Sequence, residues 1–385
     1  MIIPAKRVNS INEYYFSHKL REIARRNAQG EDIINLGIGN PDMLPSNSTI
    51  ETLQTEILKA DAHGYQPYKG IDDLRNAFSN WYRTKYGVNL NPDTEILPLI
   101  GSKEGILHIS MAFLNPGDKV LVPDPAYPTY KAVSEMIGAI PLIYKLEKEL
   151  GWFPDLESLN KQDLSGVKLM WVNYPNMPTG AQINKEDFGK LLDFARSNNI
   201  LICNDNPYSF ILNENPLSIL SIPGAKEIAI ELNSLSKSHN MAGWRIGMLA
   251  SNPTFIQYIL KVKSNMDSGI FKPLQKAAVS ALKNPESWYQ NLNNEYAERQ
   301  KIGFEILDHL KCQYQKDQVG MFIWAQIPNH SNHSEIFAEN ILNTAKVFIT
   351  PGFIFGEQGQ RYIRISLSSP QEKLQLAKSR ILLNI

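Results

Sequence analysis

The chain has 385 residues, and its 39 basic and 39 acidic side chains give a formal net charge of zero. This length predicts about two or three domains, and the balanced charge argues against a general nucleic-acid or anionic-membrane binder. Cys203 and Cys312 are too few for a disulfide framework or a clustered cysteine metal site. No apolar run approaches the ~18 residues of a membrane span. We therefore expect a cytoplasmic protein that binds no metal.

The first predicted element is an amphipathic helix from about Ile11 to Ala28, which stops at Gly30. Helices are also predicted to begin near Lys103 and to span Lys185–Ser197. Short β-rich runs alternate with these helical patterns, and they read ILPLIG, KVLVP, IPLIYKL, KLMWVNY, ILICND and EIAIELNSL. Apolar strands separated by helix-length segments predict the α/β class, with a mostly parallel sheet covered on both faces.

The pattern changes after about Pro285. A long charged helical stretch is followed by the strand-like runs MFIWAQI, KVFIT and YIRISL, with helices between them. This order predicts a smaller α+β unit, to which the N-terminal segment returns. We therefore divide the chain into a large domain of residues 46–285 and a small domain formed by residues 1–45 and 286–385.

Ligands of open α/β sheets bind beyond the carboxyl ends of the strands, so the residues that follow each strand are the first candidates. The run EIAIELN leads into SLSKSHNMAGWRIG, which places Ser234, Ser236, Lys237 and Arg245 near one strand end. A lysine amine condenses with aldehydes and moves protons, and an arginine fork binds phosphate bidentately. A polar loop is the ordinary interpretation of a lone Ser-Lys pair, but the whole string favours a site.

This string resembles the signature of the class I/II aminotransferases, the pyridoxal-phosphate enzymes of fold type I, in which Ser-x-Ser-Lys precedes Gly-x-Arg-x-Gly. The resemblance implies a mostly parallel seven-stranded sheet and pyridoxal 5'-phosphate as cofactor. It further implies that Lys237 forms the Schiff base with the cofactor and that Ser234 and Arg245 hold its phosphate, with Ser236 beside them. The runs KSNMDSGIFKPLQKAA and GSKEGILH look most like the LL-diaminopimelate aminotransferase-like branch.

Asp205 and Tyr208 follow the run ILICN. Loop capping is the ordinary interpretation of an Asp-x-x-Tyr pair. The resemblance instead implies that Asp205 faces the pyridine nitrogen and that the Tyr208 hydroxyl bonds the ring oxygen. A carboxylate beside that nitrogen favours its protonated form, which is the electron sink for a carbanion. Lys237, Asp205 and Tyr208 are therefore the predicted catalytic residues.

Further cofactor contacts are predicted at two turns. Gly101, Ser102 and Lys103 lie where a strand enters a helix, and a glycine and free helix amides suit a phosphate. In PDPAYPTY, Tyr127 matches the aromatic residue that stacks on the cofactor ring. Tyr65 matches a tyrosine that in the family reaches the phosphate in the neighbouring subunit, which implies a homodimer.

Arg364 in YIRISLS matches the arginine with which the family binds the substrate carboxylate, and Gly39 in LGIGNPDMLP offers a backbone amide. A planar guanidinium suits a carboxylate and orients the amino acid toward Lys237. Weaker candidates for contact with the substrate side chain are Lys263, Lys272, His239 and the Tyr14-Tyr15 pair.

One segment departs from the family pattern. The stretch NYPNMPTG has Met177 where the family has an asparagine that donates to the ring oxygen, and a thioether cannot donate. Either Asn176 or Asn173 replaces that donor, or the protein manages with Tyr208 and Arg364. We count Asn173 among the cofactor contacts and Asn176 among the substrate contacts.

The resemblance covers nearly the whole chain and implies an aminotransferase that moves an amino group from an L-amino acid to a 2-oxo acid by a ping-pong mechanism. β-Elimination, as in a carbon–sulfur lyase, is an alternative on the same scaffold because the same carbanion can expel a leaving group. A cofactor-sensing regulator is not favoured, because the match begins near residue 36 and basic residues do not cluster ahead of it.

Overall fold

The computed structural model describes residues 2–9, 13 and 15–385. The strands are β1 (Ile34–Asn35), β2 (Ile96–Leu99), β3 (Lys119–Asp124), β4 (Ile140–Lys145), β5 (Val167–Val172), β6 (Leu201–Asp205), β7 (Ala229–Ser234), β8 (Gly247–Ala250), β9 (Gln313–Tyr314), β10 (Phe322–Gln326), β11 (Val347–Phe348), β12 (Thr350–Pro351) and β13 (Tyr362–Ser366). The helices are α1 (Lys6–Asn9), α2 (Tyr15–Ala28), α3 (Asn47–Glu56), α4 (Asp72–Tyr86), α5 (Ser102–Phe113), α6 (Thr129–Met136), α7 (Leu156–Asn160), α8 (Lys185–Asn198), α9 (Leu235–Ser238), α10 (Pro253–Lys263), α11 (Lys272–Ala281), α12 (Glu286–His309), α13 (Ser334–Ala345) and α14 (Gln371–Asn384). Within these ranges, none of the helices has both the length and the apolar character that a bilayer span requires.

A seven-stranded sheet organises the larger part of the chain, with the order β2-β8-β7-β6-β5-β3-β4. The strands from β7 through β6, β5 and β3 to β4 are parallel, whereas β8 lies antiparallel between β2 and β7. The predicted α/β class and mostly parallel sheet are confirmed. Strand β8 is not predicted from the sequence, because its four residues GMLA directly follow the polar turn after Lys237 and show no separate strand pattern.

Both faces of this sheet are buried against helices. On β5, Met170 and Val172 pack into one apolar cluster, and Leu169 and Trp171 pack into another on the opposite face. Because side chains alternate across a strand, a strand buried on both faces has an almost continuous apolar sequence. This explains why runs such as KLMWV predict covered strands correctly.

The predicted helix boundaries agree closely with the structure where it describes them. The helix predicted near Lys103 begins at Ser102, and α8 spans Lys185–Asn198 with an Asn184 capping box. At the N-terminus, α2 ends at Ala28 as predicted. The predicted start near Ile11 lies outside the described residues.

The C-terminal part contains a four-stranded antiparallel sheet of order β12-β13-β10-β9. The run KVFIT, predicted as one strand, forms the two short strands β11 and β12 in different sheets. The N-terminal strand β1 pairs in parallel with β11, so the beginning of the described chain lies against its C-terminal part. The division into domains at about residues 45 and 285 stays a prediction.

Candidate active site

The carboxyl ends of β5, β6 and β7 border a cavity of about 610 Å³. Most of the residues predicted for the site line it, and they are Gly39, Ser102, Lys103, Tyr127, Asn173, Asp205, Tyr208, Ser234, Ser236, Lys237, Arg245 and Arg364. They come from segments spread over more than 300 residues of sequence, so the fold brings them together as the strand-end rule predicts.

Lys237 lies on the single turn α9, directly after β7. Its amine donates a hydrogen bond to the Gly39 carbonyl oxygen, with 2.7 Å between the two atoms. Burial, aided by the positive charges of Arg364 and Arg245, lowers the pKa of this amine from 10.5 to about 8. A substantial neutral fraction is therefore present at physiological pH, and a neutral amine is the form that attacks a carbonyl.

Asp205 ends β6 with its side chain buried. Its Oδ2 accepts a hydrogen bond from the Tyr130 hydroxyl at 2.8 Å, and Oδ1 has no hydrogen-bond partner in the described part of the chain. Burial raises the pKa of the carboxyl to about 6, opposed by the hydroxyls of Tyr130 and Ser102; Ser102 is close enough to act on the charge without a hydrogen bond of normal geometry. A buried oxygen without a partner is costly, which marks Oδ1 as a place for a ligand donor.

Hydroxyl groups and a guanidinium also line the cavity. Ser234 accepts from the Ser236 backbone N–H at 3.0 Å and donates to the Ser236 Oγ at 2.6 Å. Arg245 donates to the Ala242 and Ile100 carbonyl oxygens at 2.9 and 3.3 Å. We call Ser102, Asp205, Ser234, Lys237 and Arg245 the cofactor edge.

Gly101 does not line the cavity, but it leaves room for Arg245, which does. Its φ of 80° is a conformation that side chains other than glycine rarely adopt, and a Cβ at this position would collide with the Arg245 guanidinium. Glycine therefore allows Arg245 to lie against the turn that opens α5. The predicted contact of Gly101 with a phosphate stays a prediction.

Arg364 of β13 is held in what we call the carboxylate cage. Its Nη2 donates to the Gly37 carbonyl oxygen at 2.7 Å, and its Nη1 lies 3.3 Å from the Met177 sulfur. Its guanidinium carbon lies 3.9, 4.7 and 5.6 Å from the ring centroids of Phe322, Phe355 and Phe16. These rings attract the cation and exclude water from it, which strengthens its interaction with an anion.

The two asparagines proposed to replace the donor that Met177 lacks lie in different places, because Asn173 lines the cavity and Asn176 does not. The Asn173 side chain donates to the Asp205 backbone carbonyl at 2.5 Å and accepts from the Met177 N–H at 2.7 Å. Asn176 does not line the cavity, and its Oδ1 accepts from the Thr179 hydroxyl at 2.7 Å. The structure therefore does not place Asn176 where a substrate contact requires it, because its side chain is bound within its own turn.

The remaining cofactor candidates lie around the cavity. The Lys103 ammonium lies 5.9 Å from the centre of the Tyr127 ring, and Tyr208 makes an edge contact with Phe322 at 5.9 Å between ring centroids. Gly39 passes so close to Phe322 that a Cβ at this position would collide with the ring. The aromatic rings therefore fix the backbone to which Lys237 donates.

Several candidates lie away from this cavity. Tyr65 is 92% exposed. Lys263 and Lys272 bind Asp267 and Asp61, and His239 is buried, which lowers its pKa to about 3. Tyr15 packs against Phe353 and does not line the cavity. Tyr14 lies outside the described residues.

The residues that the sequence analysis misses are mostly aromatic. Tyr130 follows Tyr127 by three residues on the same turn, and this spacing could have drawn attention to it. Phe16, Phe322 and Phe355 come from three distant segments. No local pattern distinguishes them from core residues, so only the folded chain shows that they surround Arg364.

Comparisons with known proteins agree with this geometry. The sequence profile of the family "Aminotransferase class I and II" matches residues 31–381. The chain is 41% identical to an LL-diaminopimelate aminotransferase from Natranaerobius thermophilus, over 98% of each chain, and 40% identical to one from Aquifex aeolicus, over 97% of each. Among solved structures, substrate-bound BacF from Bacillus subtilis is 35% identical with a TM-score of 0.94, covering 100% of this chain and 98% of that one.

Proposed function

This chain belongs to the class I and II aminotransferases, which use pyridoxal 5'-phosphate, and we propose that Lys237 carries the cofactor while Arg364 binds the carboxylate of an L-amino acid. The observation that supports these roles is that the lysine amine and the caged guanidinium face one cavity, close enough for Arg364 to lower the pKa of Lys237. An amino acid bound by its carboxylate is thereby oriented toward the amine that must act on it.

The residues present fit pyridoxal phosphate. The buried Oδ1 of Asp205 needs a donor, which a protonated pyridine nitrogen supplies. Arg245, Ser102 and Ser234, which line the same cavity, would hold the phosphate. When bound, pyridoxal phosphate supplies an electron sink for the carbanion at the substrate α-carbon.

The remaining residues would hold or tune the ring. The Tyr127 ring would stack on it and the Tyr208 hydroxyl would bond its oxygen; in support of both roles, the two side chains line the cavity. The other cofactor contacts in this proposal are Gly101, Lys103, Asn173 and Ser236, with Gly39 on the substrate side.

Lys237 is the residue proposed to remove and return the α-proton of the amino acid. With a pKa of about 8 the amine can both accept and return a proton near neutral pH. Arg364 fixes the carboxylate, so the α-hydrogen of the amino acid is presented to Lys237. The reaction moves an amino group from an L-amino acid to a 2-oxo acid, and the same residues serve both halves of the exchange.

The test is a half-reaction with the holoenzyme. Single amino acids are mixed with the purified protein, and the absorbance of the bound cofactor is followed without any oxo-acid acceptor. We expect conversion with at least one amino acid, and no covalent cofactor in Lys237→Ala after borohydride reduction. Retained labelling of the variant would show that another lysine carries the cofactor. The names of the curated relatives make LL-diaminopimelate a donor that the panel must include.

We further infer a homodimer in which Tyr65 reaches the cofactor phosphate of the neighbouring subunit. Tyr65 lies outside the cavity of its own chain. The exposed side chains Leu58 and Tyr68 are close to it in sequence, and the exposed ring of Phe271 contacts His63, two residues before Tyr65. Such side chains are typical of an interface. Cytoplasmic location stays a prediction.

Subunit complementation tests the homodimer. Lys237→Ala and Tyr65→Ala proteins are each expected to be poorly active, whereas mixed dimers contain one site with both native residues. Co-refolded mixtures should therefore regain up to about a quarter of native activity. No recovery, with dimers confirmed by light scattering, would contradict a role for Tyr65 across the interface.

The β-elimination alternative receives no support from the family match or from the curated relatives, which are named as aminotransferases.

A further inference from the structure

Part of the cavity lining comes from residues outside the cofactor edge, and we call Phe16, Ser17 and Leu20 of α2 together with Ile38 the outer wall. Apart from the Ser17 hydroxyl, these side chains are apolar. Leu20 is 38% exposed and lies at the rim, and Phe16 is 7% exposed and also contacts Arg364. Phe16 belongs to both the carboxylate cage and the outer wall, so this wall is the apolar part of the lining that adjoins the carboxylate site.

The charged groups that line the cavity lie away from the residues of the outer wall in the chain, and in the proposed function most already have a task. Of the lining cations, Arg245 would hold the phosphate, Arg364 the carboxylate and Lys237 the cofactor, which leaves Lys103. Among the lining residues of the described chain, Asp205 is the one acid; it belongs to the cofactor edge and is buried, with Tyr130 donating to its Oδ2. A substrate side chain that ends in an ammonium would lose water on entering and meet no carboxylate at the outer wall.

Acidic residues close to the outer wall in sequence are already bound elsewhere. Glu13 is exposed and accepts from Arg21 at 2.7 Å. Glu22 accepts from Lys19 at 2.7 Å, and Asp42 accepts from Arg299 at 3.0 Å. None of the three lines the cavity, so none is positioned to neutralise an ammonium there.

The proposed partner subunit does not change this balance through the segment that carries Tyr65. Residues 62–70 read AHGYQPYKG, which contributes aromatic rings, one histidine and one lysine but no acid. If this segment reaches the neighbouring cavity, it adds apolar surface and positive charge. Both additions act against a cationic side chain.

We propose that the amino donor of this enzyme has an apolar side chain, which packs against Phe16, Leu20 and Ile38, and that donors with a distal ammonium are poor substrates. This inference rests on the proposed function of the same cavity. An apolar wall distinguishes donors with an apolar side chain from donors with a distal ammonium, because burying an unpaired ammonium costs far more free energy than burying a methyl group.

The test compares donors of similar length in the holoenzyme half-reaction. L-Norleucine ends in a methyl group and L-lysine in an ammonium, and we expect kcat/KM to be ~10²-fold higher for norleucine. LL-diaminopimelate carries a carboxylate beside its distal ammonium, and the cations of the cavity can bind that carboxylate, so lysine is the probe of the ammonium alone. Equal or faster conversion of lysine would overturn the inference while leaving the proposed function intact. Conversion of no amino acid at all would instead overturn the proposed function.

A charge introduced at the rim provides the matched variant. Leu20→Glu should raise the lysine-to-norleucine ratio of kcat/KM roughly fivefold over Leu20→Gln, because only the glutamate supplies an ion pair. Both variants should lose turnover of norleucine, since both remove the apolar contact. Equal ratios in the two variants would show that the side chain of the donor does not reach α2.

Discussion

The cofactor edge and the carboxylate cage face the same cavity but are built differently. Along the cofactor edge, Ser234, Lys237 and Arg245 lie within twelve residues of one another, in the turn after β7. In the cage, Arg364 is surrounded by side chains from α2, the loop after β5, β10 and the turn after β12. The cofactor edge presents several hydrogen-bonding and charged groups. The carboxylate cage surrounds one guanidinium with apolar side chains, which strengthen its attraction for an anion. If the two regions act independently, substitutions in the cofactor edge should change the reaction rate, and substitutions in the carboxylate cage should change the affinity for the amino acid.

The largest effect is expected at the cofactor edge. Asp205→Asn removes the negative charge of the carboxylate, whose Oδ1 lies buried without a partner among the described residues. The protonated form of the cofactor's pyridine ring would then no longer be favoured. We expect the half-reaction to slow by about 10²–10⁴-fold, measured by stopped-flow absorbance at saturating amino acid.

Tyr130→Phe is the control for Asp205→Asn. It removes one hydrogen bond to Oδ2 and keeps the charge, so a much smaller loss should result. If Asp205→Asn retains a rate within threefold of the native enzyme, the carboxylate does not act on the ring.

The two regions also differ in how far the sequence predicts them. Lys237, Asp205 and Arg245 follow strand ends in short polar strings, and the strand-end rule finds such residues because their placement depends on local chain order. Arg364 is found only by resemblance, and Phe322 not at all, because an aromatic residue on a buried strand has the same pattern whether it packs in the core or beneath a guanidinium. Asn176 shows the converse limit, since its sequence position suits a ligand but its side chain is bound to Thr179.

The second prediction concerns pH. The pKa of Lys237 is lowered to about 8, so the neutral amine fraction grows about tenfold per pH unit below that value and levels off above it. The rate at which the apo protein attaches pyridoxal phosphate covalently should follow this curve, with a midpoint near pH 8. A midpoint near 10.5 would show that the amine does not experience the burial and the two arginine charges that the structure places around it.

An intermediate effect is expected from the cage. Phe322→Leu removes the ring whose centroid lies 3.9 Å from the Arg364 guanidinium carbon. A cation–π contact contributes about 0.5–2 kcal/mol, so KM for the amino acid should rise roughly twofold to thirtyfold with kcat nearly unchanged.

Phe355→Leu removes a more distant ring, at 4.7 Å, and should raise KM less. Thermal unfolding midpoints of both variants check that the fold is kept. A fall in kcat with KM unchanged would instead mean that Phe322 acts on the cofactor edge through Tyr208, which it contacts.

The smallest effect is expected at Met177, which lies between the two regions. Its sulfur contacts Arg364 and its backbone N–H binds Asn173, which in turn binds Asp205. Met177→Asn introduces an amide donor near the ring oxygen of the bound cofactor. Such a donor favours the anionic oxygen, so the pH at which the holoenzyme absorbance changes should fall by about 0.5–1 unit, the size of one net hydrogen bond. Met177→Leu, which has no donor, should leave that pH in place. If Met177→Asn changes KM for the amino acid but not the pH of the absorbance transition, Met177 acts on Arg364 alone. Asn173 would then be the last residue of this chain of contacts that affects the cofactor.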